Sequence, residues 1–65
     1  MAAFRVTFSR VVFGVSFPVA SLEIRRARNA VRAQRAAELR FIRRIGGDDW
    51  RECADIVELE AVTGR

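Results

Sequence analysis

The chain has 65 residues and a net charge of +4, with twelve positive residues that are all arginine, one cysteine and no histidine. This composition excludes an internal disulfide and a zinc site built from cysteine and histidine, two devices that commonly stabilise short chains. We therefore expect a single domain over residues 1–65 that gains stability from a partner subunit in a reducing, cytoplasmic environment.

Residues 3–20 predict a β-hairpin, because apolar residues alternate there with polar or small ones at the period of a half-buried strand. A two-residue turn at Phe13–Gly14 would place Phe8 opposite Val19 without any shift in register. Pro18 has no amide hydrogen to donate to a neighbouring strand, so we expect the second strand to lie at an edge of the sheet.

The same apolar residues also fit helical spacing, but their β-branched and aromatic character favours strands. The first 22 residues further combine a basic, acid-free start with an apolar run, as targeting segments do. That run is shorter than the roughly 20 residues that cross a bilayer. We therefore expect no membrane segment.

Residues 22–45 predict one long amphipathic helix, with Ser21 as its N-cap and Gly46–Gly47 as its end. At about 100° per residue, one side of this helix gathers apolar residues, namely Ile24, Ala27, Ala30, Val31, Ala37, Phe41, Ile42 and Ile45. The opposite side carries eight arginines, namely Arg25, Arg26, Arg28, Arg32, Arg35, Arg40, Arg43 and Arg44.

Residues 53–62 predict a third half-buried strand, in which Val57, Leu59 and Ala61 alternate with two glutamates. The order strand, strand, helix, strand predicts a small ββαβ domain of the α+β class. Its three-stranded, mainly antiparallel sheet would carry the helix on one face. A right-handed return would place the third strand beside the first one.

The arginine-rich segment 25–44 has two interpretations: it is either a binding surface for nucleic acid or the solvated side of a helix. It carries eight arginines against one glutamate, whereas residues 46–62 carry one arginine against six acids. The positive electrostatic field of the first segment and the negative field of the second would largely cancel if the third strand lay under or beside the helix. Because no aromatic side chain is placed to stack on bases, we favour the solvated face and keep nucleic-acid binding as the alternative.

Three polar residues fall on faces that are otherwise apolar: Arg10 in the hairpin, and Gln34 and Glu38 in the helix. A buried charge is tolerated when it is paired and hydrogen-bonded. We therefore expect either a buried polar cluster of these three side chains beneath the helix, or an Arg10 and a Glu38 that both reach the solvated rim.

A helix over residues 22–45 would span about 36 Å, whereas an eight-residue strand covers about 27 Å. The C-terminal end of the helix should then overhang the sheet and need cover, either from Trp50 or from a partner. The partner-binding residues predicted on this basis are Leu39, Arg40, Phe41, Ile42, Arg43, Arg44, Ile45 and Trp50.

Catalysis is not expected. There is no histidine for general acid–base chemistry, Cys53 has no base to activate it, and no glycine-rich phosphate motif is present. The sequence therefore predicts a non-catalytic protein–protein interaction module without a cofactor. It would act as a homo-oligomer or as an accessory or inhibitory subunit of a larger protein.

Overall fold

The fold is a three-stranded antiparallel sheet with one helix packed on one face. A computed structural model describes residues 2–62 and shows β1 (Ala2–Val12), β2 (Val15–Ala27), α1 (Ala30–Ile45) and β3 (Ile56–Val62), with the strand order β2-β1-β3. The predicted ββαβ class is confirmed, with the third strand beside the first and the Pro18 strand at the edge. Met1 and residues 63–65, which the single-domain prediction includes, lie outside the described residues.

The tip of the hairpin is the predicted two-residue turn. Phe13 and Gly14 have φ angles of 52° and 76°, and Val12 pairs with Val15. Two consecutive positive φ values are the signature of a type I′ turn, whose twist matches that of the flanking strands.

The register further down the hairpin differs from the prediction. Phe8 pairs with Ala20 and Ser9 pairs with Pro18, so Val19 is an extra residue and the expected Phe8–Val19 pair is wrong. A bulge beside a proline is physically reasonable, because a residue without an amide hydrogen is tolerated in a sheet mainly at edges and bulges.

The helix begins eight residues later than predicted, at Ala30 rather than at residue 22. Residues 22–27 instead extend β2, with Leu22 opposite Val6 and Ile24 opposite Phe4. The period-two alternation continues through Ile24, and a second shift in register, between the Phe4–Ile24 and Ala2–Ala27 pairs, lets Ala27 be buried as well. Pairing with β1 thus buries the apolar members of this segment, which outweighs the helical fit of the same residues.

The caps of α1 are well defined. Asn29 is the actual N-cap, and its Oδ1 accepts a hydrogen bond of 2.9 Å from the backbone N–H of Arg32. At the other end, Gly46 adopts a φ of 73° and donates its N–H to the Ile42 carbonyl oxygen at 2.9 Å. The predicted end of the helix at Gly46 is therefore confirmed.

The core lies between α1 and the helix-facing side of β1 and β2. Val6 and Phe8 are fully buried beneath Ala33 and Ala37, whose small side chains let the helix approach the sheet closely. The ring of Phe41 stacks on that of Phe8 with a centroid distance of 4.3 Å. This aromatic pair is the centre of the core.

The third strand begins at Ile56 rather than at residue 53, after a 3₁₀ turn over Trp50–Glu52. Just before it, Asp55 donates its N–H to the Ser9 carbonyl oxygen at 2.8 Å, and its Oδ2 accepts from the Val11 N–H at 2.7 Å. Pairing of β3 with β1 runs from Ala3 to Ser9 and stops there.

The relative lengths of helix and sheet are the reverse of the expectation. The 16 residues of α1 span about 24 Å, whereas the 11 residues of β1 span about 36 Å. The overhanging element is therefore the hairpin, because residues 10–19 extend beyond β3 as a two-stranded ribbon. We call this ribbon the hairpin arm.

Candidate interaction surfaces

The residues predicted to bind a partner separate into buried and exposed groups. Phe41 is only 3% exposed and stacks on Phe8, so its expected role as a surface contact is wrong. Trp50 is half-buried, and its ring lies 5.6 Å from that of Phe8. It therefore provides cover from within the chain, which is one of the two alternatives that the sequence left open. Ile42 and Ile45 are half-buried, and the exposed members are Leu39, Arg40, Arg43 and Arg44.

The predicted buried polar cluster forms only in part. The Gln34 side-chain amide donates a 3.0 Å hydrogen bond to Glu38 Oε2, and both side chains are partly buried. Arg10 is exposed on the hairpin arm, and the ion pair found within residues 2–62 is instead Arg5–Glu60 at 4.0 Å. The expected contact between Arg10 and this pair is therefore wrong, because Arg10 lies beyond the end of the helix.

The hairpin arm is the largest exposed apolar feature of the described chain. All ten of its residues are exposed, and six of them are large apolar residues with exposures from 42% to 100%, namely Val11, Val12, Phe13, Val15, Phe17 and Val19. Their side chains together leave about 500 Å² of apolar surface in water. The register places Val12, Val15 and Phe17 on one face of the ribbon and Val11 on the other, so this area is divided between two faces.

The residue at the tip of the arm is an unusual choice for its backbone conformation. Phe13 is fully exposed at a φ of 52°, a region that asparagine and glycine adopt far more readily than a bulky aromatic residue. Because the ring is fully exposed, no burial within the protomer offsets the free-energy cost of this backbone conformation. A strained and fully exposed aromatic side chain is characteristic of a contact residue rather than of a folding requirement.

The outer edges of the sheet are poorly suited to pairing with another strand. The β2 edge is interrupted by Pro18 and the bulge beside it, and it carries Arg25 and Arg26. The β3 edge carries Glu58 and Glu60, which would face like charges in a symmetric strand pair. Association by pairing of edge strands is therefore disfavoured, and side-chain packing on the hairpin arm is the accessible alternative.

The charges of the molecule are segregated rather than mixed. The eight arginines between residues 25 and 44 are all exposed on β2, α1 and the segment that joins them. By contrast, Glu58 and Glu60 lie on the opposite edge strand, in register with Thr7 and Arg5 on the sheet face that the helix does not cover. β1 therefore separates the two β3 glutamates from the arginines of β2, whereas the other four acids of residues 46–62 lie in the segment between α1 and β3.

A groove between β2 and α1 collects part of this positive charge. It has a volume of about 430 Å³ and is lined by Glu23, Ile24, Arg25, Arg26, Ala36 and Arg40. The strand contributes four of these residues and the helix contributes two. Sequence reasoning missed the groove because it assigned all six residues to a single helix.

The described residues 2–62 contain neither a cluster of metal ligands nor a helix that could span a membrane. No group of three or more potential metal ligands comes together in this part of the chain. Within the same residues, α1 is neither long enough nor apolar enough to cross a bilayer.

Comparisons with known proteins give no assignment. No protein-family model matches the chain, and searches of curated proteins and of solved structures gave no significant match.

Proposed function

We propose that this chain is a non-catalytic protein–protein interaction module that forms a homodimer through its hairpin arm. The single observation that supports this proposal most strongly is the fully exposed Phe13 at the tip of an otherwise apolar ribbon. Exposure of these apolar side chains to water costs free energy in the isolated chain, and burial against a partner recovers that free energy.

The area of the arm suits a dimer of modest size. A standard specific interface buries about 800 Å² on each partner, and the apolar side chains on the two faces of the arm offer roughly 500 Å² in total. A two-stranded ribbon without a third strand is also only marginally stable in water. Packing against a second arm would therefore both hide the apolar surface and order the ribbon.

A second copy is the occupant that best matches the chemistry of the arm. Arg10 is the only charged residue among its ten residues, so its complement must be predominantly apolar. The other exposed large apolar residues within residues 2–62 are Val31, Leu39 and Ile56, and the first two lie among the arginines of α1. The arm itself thus provides the most extensive matching surface.

Sedimentation velocity over a dilution series tests the proposal. The wild-type chain should sediment as a dimer of the 7.4 kDa protomer and dissociate on dilution. Phe17→Ser should raise the dissociation constant about tenfold or more, because it removes about 100 Å² of buried apolar surface. Leu39→Ser is the matched control, since it also removes a large exposed apolar side chain but lies on the helix.

Phe13→Asn separates association from folding. Asparagine before Gly14 creates the preferred type I′ turn sequence, so the isolated protomer should unfold at the same or a higher urea concentration while the dimer weakens. A wild-type chain that stays monomeric at its highest soluble concentration would refute the proposal. A dimer that withstands both arm substitutions but is lost in Leu39→Ser would place the interface on the helix and also refute it.

A further inference from the structure

We propose that the groove between β2 and α1 is a binding site for the phosphodiester backbone of nucleic acid. This inference is independent of the homodimer, because no residue of the groove belongs to the hairpin arm. It rests on the convergence of arginines from two different elements on one concave surface.

The groove presents guanidinium groups that form no ion pair with the other described residues. Arg25, Arg26 and Arg40 are all exposed, and within residues 2–62 the ion pair that forms is Arg5–Glu60 on the other sheet face. The groove contains one acid, Glu23, against these three arginines. An anion entering it therefore meets a net positive site and displaces no ion-pair partner from residues 2–62.

The surroundings of the groove strengthen its positive potential. Arg28, Arg32, Arg43 and Arg44 are exposed on the same two elements or on the segment between them. The acids of β3 lie two strand spacings from β2, which is about 10 Å and exceeds the screening length of about 8 Å at physiological salt. The acids of β3 therefore weaken the attraction of a polyanion on the β2 side only slightly.

The chemistry of the lining favours phosphate over bases. A guanidinium group binds phosphate oxygens through two parallel hydrogen bonds, and arginine is preferred over lysine where this geometry matters. The groove floor consists of the buried Ile24 and the half-buried Ala36, and none of the lining residues is aromatic. Without a ring to stack on bases, binding should follow the backbone and be independent of base sequence.

The first test compares two triple variants of equal charge. Arg25→Gln, Arg26→Gln and Arg40→Gln together remove the groove arginines, whereas Arg32→Gln, Arg35→Gln and Arg51→Gln remove three exposed arginines that lie outside both the groove and the hairpin arm. Binding of a labelled oligonucleotide is followed by fluorescence anisotropy between about 50 and 200 mM salt. Circular dichroism verifies that both variants fold, as their exposed positions predict.

The groove variant should bind at least about tenfold more weakly than wild type at the low-salt end, and its plot of log affinity against log salt should be shallower by about two to three. The control variant should keep most of the affinity and the slope. Equal weakening in both variants would show that only net charge matters and would overturn the proposal. Failure of the wild-type chain to bind at low salt would also overturn it.

The second test looks for a gain of affinity, which misfolding cannot imitate. Glu23→Gln removes the acid of the groove and should tighten oligonucleotide binding several-fold, whereas Glu58→Gln makes the same charge change on the opposite edge strand and should have a smaller effect. Equal gains in the two variants would contradict a localised site. Polyglutamate that binds as tightly as an oligonucleotide of equal charge would contradict phosphate recognition and indicate an acidic protein ligand.

Discussion

Truncation of Phe41 to alanine should remove most of the stability of this domain. The ring is 3% exposed and stacks on the fully buried Phe8 at a centroid distance of 4.3 Å and an interplanar angle of 11°. Alanine would leave a cavity against Phe8, which also contacts the tilted ring of Trp50 at 5.6 Å. These three rings join α1, β1 and the 3₁₀ turn, so the cavity would loosen all three elements.

The expected loss is comparable to the whole stability of the domain. Phenylalanine-to-alanine changes in cores cost about 3 to 5 kcal/mol, and this value includes part of the stacking contribution. A domain of 65 residues has a total stability of about 3 to 10 kcal/mol. Phe41→Ala should therefore be partly or fully unfolded at room temperature. Phe41→Leu should cost about 1 to 2 kcal/mol and stay measurable.

Urea unfolding followed by tryptophan fluorescence is a suitable assay, because Trp50 lies next to the affected ring. Phe13→Ala is the matched control. It makes the same chemical change at a fully exposed ring, so it should alter the stability of the dilute protomer by about 0.5 kcal/mol or less. The measurements should be made at low protein concentration, where a dimer would dissociate.

A Phe41→Ala chain that unfolds at the same urea concentration as wild type would contradict the central role of the Phe8–Phe41 stack. That role would equally be contradicted if Phe13→Ala destabilised the dilute protomer as much as Phe41→Ala. Either outcome would mean that the Phe8–Phe41 stack is not the centre of the core.

Two local predictions follow from single hydrogen bonds. Asn29→Ala should lower the free energy of unfolding by about 1 kcal/mol, because the Arg32 N–H loses its acceptor. Ser21→Ala should change the free energy of unfolding by less than about 0.5 kcal/mol, and urea unfolding of both variants checks this difference. Asp55→Ala removes the acceptor of the Val11 N–H at the base of the arm and should therefore increase the rate of amide hydrogen exchange at Val11. Asp48→Ala is the control, because Asp48 is exposed and takes no part in this contact, and it should leave that exchange rate unchanged.

The parts of the fold that the sequence predicted correctly are those with strong local determinants. The Phe13–Gly14 turn and the Gly46 end of the helix depend on residues that reach positive φ, and the hairpin pairing of Val12 with Val15 follows from the turn. The order of strands in the sheet followed from the chain order and the handedness of the return.

The start of the helix could not be derived from local pattern alone. Ser21 and Asn29 are both suitable N-caps, and residues 22–27 fit a helix and a strand nearly equally well. Pairing with β1 decides between them, because it places Ile24 and Ala27 in the sheet, where both are buried in the core shared with α1. Tertiary contacts of this kind are not visible in a short sequence window.

The later start of the helix also changes which residues form the candidate sites. A shorter helix leaves its C-terminal end covered by the sheet and Trp50, and this is why Phe41 is buried. A longer β2 leaves the hairpin uncovered instead, so residues predicted to be half-buried became the exposed arm. It also places Arg25 and Arg26 on a strand that faces Arg40 across a groove.

The continuity of β1 links the two proposed surfaces. One uninterrupted strand runs from the core to the tip of the arm, and Asp55 secures the backbone at the point where β3 ends. Two copies joined at their arms would therefore hold their basic grooves at a fixed separation and orientation. Such a pair is bivalent, and a long polyanion that reached both grooves would be retained far more strongly than a short one with the same local contacts.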